Sequence, residues 1–389
     1  MICRPAMFQR LISFLFVGLM TSLVAPPANA QPNAQQRLPH NLTKRVVGDY
    51  GYWSKYQNPP YGAAQIPYDK LTHINHAGVS FDASGTLSVP AGPENEFLEP
   101  ELNIRAHAAG VKVLLLLGGD FAGIEASGAM QTLVDTVAAF EQQYGYDGVD
   151  LDWEYPETAA DGVFLVDFMA RLRASNPSYV LSVDAAPWNG PGYDLKALRL
   201  SIDYVNVMMY DCAGPWTAHG QLNSAIFWDP HNPADYECQP GGSVYNAVNI
   251  FLQAMPGSQI TMGTPFYGYY YTNINQLFGF CPNALNSPDQ ECDDTVGSAS
   301  YAQFKPLINK KGWHTLYDPI ALVPYMLKDD GGDGFITYDD ATSTFLRVYY
   351  SDWDRGLGGT FMWALDEDYD GHSQDLLDAM YNASRGSGK

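Results

Sequence analysis

Apolar and polar positions along the chain alternate between two kinds of pattern. Apolar runs of strand length recur at 45–50, 71–79, 111–117, 148–155, 180–186, 204–210, 260–266 and 359–365. Between them lie stretches with helical spacing. Leu133, Val137, Phe140 and Tyr144 stand at i, i+4, i+7 and i+11, and Leu165, Phe168, Met169 and Leu172 at i, i+3, i+4 and i+7. Asn176-Pro177 marks the expected end of the second helix, because the residue before a proline is pushed out of the α region. Strand segments alternating with helices predict an α/β fold, and eight of them predict a (β/α)8 TIM barrel. Periodicity does not register closure, so an open doubly wound sheet stays compatible with the pattern.

The gap between the seventh and eighth strands, residues 269–338, is much longer than the others and ends in the run Asp330-Gly331-Gly332-Asp333-Gly334. A structureless loop of that length is uncommon, so a small inserted α+β subdomain on the barrel rim is expected, deepening one wall of a cleft. At the other end, Arg4 and Arg10 precede an apolar run from Leu11 to Ala25 and then Ala28-Asn29-Ala30. That order predicts a secretory signal peptide over 1–30, and an extracellular or periplasmic protein. The alternative, a membrane anchor, needs about 18 to 20 apolar residues, more than this run supplies. Residues 31–44 are polar and read as a linker, leaving 45–385 as the barrel.

Composition narrows the partners. The formal net charge is −22, and loss of the leader, which carries two arginines and no acids, takes it to −24. Such a field repels phosphate backbones and anionic membranes, so neither nucleic acid nor a membrane is an expected partner. Tyrosines number 26 and tryptophans 8, rings that fill a core or stack on sugar faces. Without the leader four cysteines remain: Cys212, Cys238, Cys281 and Cys292. An even count in an exported chain points to two disulfides, and proximity favours Cys212 with Cys238 and Cys281 with Cys292 among three possible pairings. A zinc site is the competing use, but no C-x-x-C pair supports it.

The fourth strand carries the chemistry. In Asp147-Gly148-Val149-Asp150-Leu151-Asp152-Trp153-Glu154 the strand period sends Asp150, Asp152 and Glu154 to one face and Val149, Leu151 and Trp153 to the other. With the apolar set against the helices, the carboxyls face the barrel interior. Like charges crowded in a poorly solvated space cannot all ionise, so at least one pKa rises, and a raised Glu154 is a general acid near neutral pH. A solvated acidic loop or a calcium site are the bland alternatives. Interleaved Val, Leu and Trp argue against the loop, and the lack of a glycine turn argues against a calcium site of the EF-hand kind.

These residues also meet every position of D-x-x-D-x-D-x-E, the signature of glycoside hydrolase family 18, the chitinases, which the chain resembles. Met208-Met209-Tyr210-Asp211 looks like that family's sixth strand and Gly263-Thr264-Pro265-Phe266-Tyr267-Gly268 its seventh. Gly358 to Asp366 looks like its eighth, so the resemblance covers roughly 45–385. It implies a retaining hydrolase without an enzyme nucleophile or a cofactor. Glu154 is then the acid, Asp152 the group that orients the substrate's acetamido nucleophile, and Asp150 the partner sharing a proton with Asp152. Tyr210 is the implied donor to the acetyl oxygen. Asp147, Met208, Asp211, Tyr267 and Trp363 are the implied substrate-binding residues, with Tyr50 and Trp53 as further subsite candidates. No metal is implied.

Four departures from the family pattern stand out. Leu116 replaces a serine before Gly118-Gly119, Gly78 replaces the phenylalanine after Ala77, Asp49 follows Gly48 where a tyrosine is usual, and Tyr269 replaces an arginine. They bear on the shape and charge of the binding subsites. Asp366, Asp368, Asp370 and Gly371 imitate the start of an EF-hand loop, but Leu377 stands where its glutamate belongs. Asn41-Leu42-Thr43 and Asn382-Ala383-Ser384 are glycosylation sequons. The resemblance implies a monomeric chitinase acting on chitin or N-acetylglucosamine oligosaccharides. An endo-β-N-acetylglucosaminidase on glycoprotein glycans and a chitin-binding lectin are the rivals; an intact Glu154 weighs against the lectin.

Overall fold

A computed structural model describes residues 42–90, 96–236, 238, 242–285, 291–292 and 295–386. The expected signal peptide, nearly all of the linker and Asn41 of the first sequon lie outside the described residues. Eight parallel strands form the barrel: β1 Arg45–Gly51, β2 His73–Phe81, β3 Lys112–Leu117, β4 Gly148–Asp152, β5 Val180–Ala185, β6 Tyr204–Val207, β7 Ile260–Pro265 and β8 Gly359–Trp363. Each pairs with its neighbour in sequence, and β1 pairs with both β2 and β8, which closes the sheet and removes the open alternative. The ends of β4 and β6 come earlier than the apolar runs predict. β3 stops at Leu117 opposite Leu151, and β5 stops at Ala185 opposite Val207, so β4 and β6 each lose their partner on the side of the preceding strand.

Helices cover the outside. Met130–Tyr144 buries Leu133, Val134 and Val137. Ala159–Ser175 begins with a capping box in which the Thr158 hydroxyl accepts from Asp161 N and the Asp161 carboxylate accepts from Thr158 N, and it ends at Asn176, extended before Pro177. Val149 and Leu151 are fully buried beneath these helices. Trp153 stacks flat on Phe121 at 4.4 Å. The apolar set of the acidic strand therefore faces outward.

After β7 the chain enters a five-stranded antiparallel sheet made of Tyr267–Tyr271, Val296–Ser300, Trp313–Tyr317, Pro324–Lys328 and Phe335–Thr337. Its strands run from Tyr267 to Thr337, within the long gap between the seventh and eighth barrel strands. Disulfides join Cys212 to Cys238 and Cys281 to Cys292, the pairing that proximity favours.

Candidate active site

The site grows from inward-facing polar residues that alternate with apolar ones on the barrel strands. Asp150 is fully buried and takes three hydrogen bonds from neutral donors: Ser182 Oγ at 2.5 Å, Asn75 Nδ2 at 2.6 Å and Asn206 Nδ2 at 3.1 Å. Asn75 Nδ2 also donates to Asp49 Oδ1 at 2.8 Å, and Thr261 Oγ1 donates to Asn206 Oδ1 at 2.5 Å. Asp152 lies one pleat higher, half-buried, beside Asp184 in the β4 to β5 register. Glu154 stands just beyond the strand, exposed to an open pocket of about 380 Å³ lined by Gly119, Asp120, Phe121, Asp152 and Trp153. Peptide bonds Ala77-Gly78, Glu154-Tyr155 and Trp363-Ala364 are cis, all at this C-terminal mouth.

Electrostatics follow from burial. Asp152 is lifted by burial and then by the charges of Glu154 and Asp150, to about 7. Asp150 reaches about 7 through burial, held back by its hydrogen bonds. Glu154 is raised by burial and by the charge of Asp211, while hydrogen bonds from Tyr155 and Asp152 pull it down. The hydrogen bond between Asp152 and Glu154 thus lifts the first and pulls the second down. Two carboxyls in contact bond only when one keeps a proton.

Asp211, with φ of 59°, sits at the end of the sixth-strand segment, its N–H held by Asn223 Oδ1 at 2.8 Å. Its Oδ1 accepts from Tyr267 at 2.5 Å and from Tyr269 at 2.8 Å. Tyr269 thereby supplies a neutral donor where the family pattern has a cation, and burial raises Asp211. Met208 and Tyr210 are buried side chains of the same wall, and the Tyr210 ring packs edge-on against Tyr267 at 6.0 Å. Trp363 is half-buried at the end of β8 and faces exposed Trp53 at 6.5 Å.

Two expectations need correction. Asp147 lies at the opposite end of β4, where it accepts from Lys112 Nζ at 2.7 Å and Val113 N at 2.9 Å and contacts His107 at 2.8 Å. It fastens two strands at the barrel's bottom and is not a substrate contact, because active sites of this architecture form at the C-terminal face. Tyr50 is fully buried, stacked on His76 at 5.4 Å with its hydroxyl on Glu99, and so belongs to the core. The carboxylates of the run 366–370 are also engaged: Asp368 accepts from Leu377 N and Asp370 pairs with Lys305.

Asp49, Asn75, Ser182, Asp184 and Asn206 join the site without having been singled out as functional. Their signal was present as single polar residues flanked by apolar ones within strands, as in Leu181-Ser182-Val183-Asp184-Ala185. At Gly78 a Cβ would meet nothing within 4 Å, so the missing aromatic leaves open space in the cleft.

A model of the glycosyl hydrolases family 18 matches residues 45–368, the span that holds every element just described. The chain belongs to this family. A probable endochitinase of Caenorhabditis elegans is 30% identical over 350 residues, covering 81% of this chain and 55% of that protein. The chain therefore spans little more than half the length of that family 18 relative. A class V chitinase of Arabidopsis thaliana is 27% identical, covering 83% of this chain and 87% of the plant protein. The crystal structure of catalytic domain 2 of the Ostrinia furnacalis Group II chitinase superposes with a TM-score of 0.76 at 26% identity, covering 89% of this chain and 97% of that one. Among the described residues no helix is long and apolar enough to cross a membrane.

Proposed function

We propose that the chain is a secreted chitinase that hydrolyses β-1,4 bonds between N-acetylglucosamine units, with retention and with the substrate's acetamido group as nucleophile. The observation that carries this reading is the placement of Asp152, a half-buried carboxyl set between buried Asp150 and cleft-exposed Glu154. Glu154 protonates the glycosidic oxygen as the acetamido oxygen attacks the anomeric carbon. Asp152 accepts the acetamido N–H, the single negative charge left on the Asp152–Glu154 pair stabilises the oxazolinium ion, and the Tyr210 hydroxyl donates to the acetyl oxygen. Glu154, now a base, activates water to open the oxazolinium ion. Relatives named as chitinases support the substrate, and the apolar leader together with two disulfides supports secretion. Trp363 and Trp53 supply ring faces for the sugar.

Product analysis on N-acetylglucosamine oligomers, beside digestion of a glycoprotein, tests the reading. Release of short oligomers with retained configuration is expected, and cleavage of the glycoprotein alone would replace it with the endo-β-N-acetylglucosaminidase. Glu154→Gln should lower turnover by about a thousandfold or more while oligomer affinity stays within about threefold. A Glu154→Gln protein of unchanged activity removes Glu154 from the acid's role.

A further inference from the structure

Asp49, Asp150 and Asp184 are 1%, 0% and 4% exposed, and with Asp152 they bring four carboxyls to the barrel interior. Register sets Asp184 beside Asp152 on one side and Asn206 on the other. Among the described residues no ion pair includes any of these four acids. Several buried anions without a cation repel one another and forfeit their hydration, so most of the group must be neutral.

The donors show where the one charge belongs. Ser182, Asn75 and Asn206 all donate to Asp150, the environment of a carboxylate. Asp184 Oδ1, by contrast, has no protein partner. Its carboxyl lies within reach of Asp150, and because three neutral donors already serve Asp150, a proton between the two acids belongs on Asp184. Burial raises Asp184 first, and the charges of Asp150, Asp152 and Asp49 add to it, against a smaller pull downward from Asn206. The phenols of Tyr193 and Tyr210 face the same acid and are neutral as well.

We propose that Asp184 is a positioning residue: a neutral carboxylic acid that donates to Asp150, keeps Asp150 ionised, and so leaves Asp152 to hold its proton toward Glu154. This rests on the acetamido-directed reading above.

The test compares kcat and KM of wild type, Asp184→Ala and Asp184→Asn on N-acetylglucosamine oligomers across pH, with a melting curve for each. Asp184→Ala should lose about tenfold to a hundredfold in kcat, the worth of one hydrogen bond to a buried charge, with KM little changed. Its acidic limb should move to higher pH, because Asp150 then keeps its proton longer. Asp184→Asn, a neutral donor of the same shape, should recover most of both effects. Unchanged kcat in the alanine variant overturns the proposal, as does an asparagine variant as impaired as alanine. Movement of the acidic limb to lower pH in both variants overturns it too, since that is the signature of an ionised Asp184. If Asp184→Ala does not fold, infrared spectroscopy decides: the difference spectrum between wild type and Asp184→Asn must show one lost protonated-carboxyl component beside those of the other neutral acids, and a difference spectrum without it refutes the assignment. A wild type inactive on every oligomer would sink the chitinase reading, and the infrared result would still judge Asp184.

Discussion

At the scale of single residues, the same side chain type does opposite work at the two ends of one strand. Asp147 meets Lys112 and a backbone N–H and is a fastener. Glu154, seven residues on, opens into the cleft. Asp147→Ala should therefore lower stability by about 1 to 3 kcal/mol, seen in denaturant unfolding, with kcat/KM unaltered. A fall in kcat/KM at full folding would return Asp147 to the site. Tyr269 carries a second expectation. Its hydroxyl lowers Asp211, so in Tyr269→Phe Asp211 holds its proton to higher pH and withdraws part of the charge that lifts Glu154. Glu154 then loses its proton earlier, and the basic limb of the kcat profile should shift toward acid.

At the scale of elements, legibility depended on whether the signal was local. The spacing of Leu165, Phe168, Met169 and Leu172 and the Asn176-Pro177 stop were enough to read the helix Ala159–Ser175, because period and stop signal lie within it. Thr158→Ala removes one half of its capping box and should cost about 1 kcal/mol in unfolding free energy. An unchanged stability would mean the cap is replaced by solvent. Strand ends were less legible: β4 and β6 terminate near where the preceding strand stops, a property of the partner. The acid triplet was legible because Asp150, Asp152 and Glu154 alternate within one short segment, β4 and the two residues after it. The donors to Asp150 were not, because Asn75, Ser182 and Asn206 come from three other strands.

For the whole molecule, buried acids set how stability depends on pH. Glu141, Asp352, Glu367 and Asp368 are each raised to about 8, burial being the first cause in every case. A folded-state pKa above the unfolded one means stability that is full below about pH 4 and is lost as pH rises through about 8. Asp370 runs the other way, lowered chiefly by its bonds to Lys305, Ser373 and His372 against the cost of burial, and its contribution is lost in acid. The four raised groups outweigh it, and a net charge of −22 adds self-repulsion at high pH. The melting temperature should be higher at pH 5 than at pH 9, and added salt should narrow the gap by screening. A melting temperature that rises between those two values would contradict the burial of these acids.

What the amino-acid order determined by itself was whatever lies within one element or within the spacing along the chain. That includes eight strands, the outward and inward faces of the acidic strand, the long insertion after β7 and the carboxyl of Glu154 at the strand's upper end. Closure of the barrel, the place of Asp147 at its bottom and the polar floor under Asp152 were decided by tertiary structure. Each depends on which strands become neighbours and in what register. The protonation pattern belongs with them, since a carboxyl's pKa is set by the water it loses and the groups it meets, and Asp49 and Asp184 meet Asp150 only after β1, β4 and β5 close around one axis.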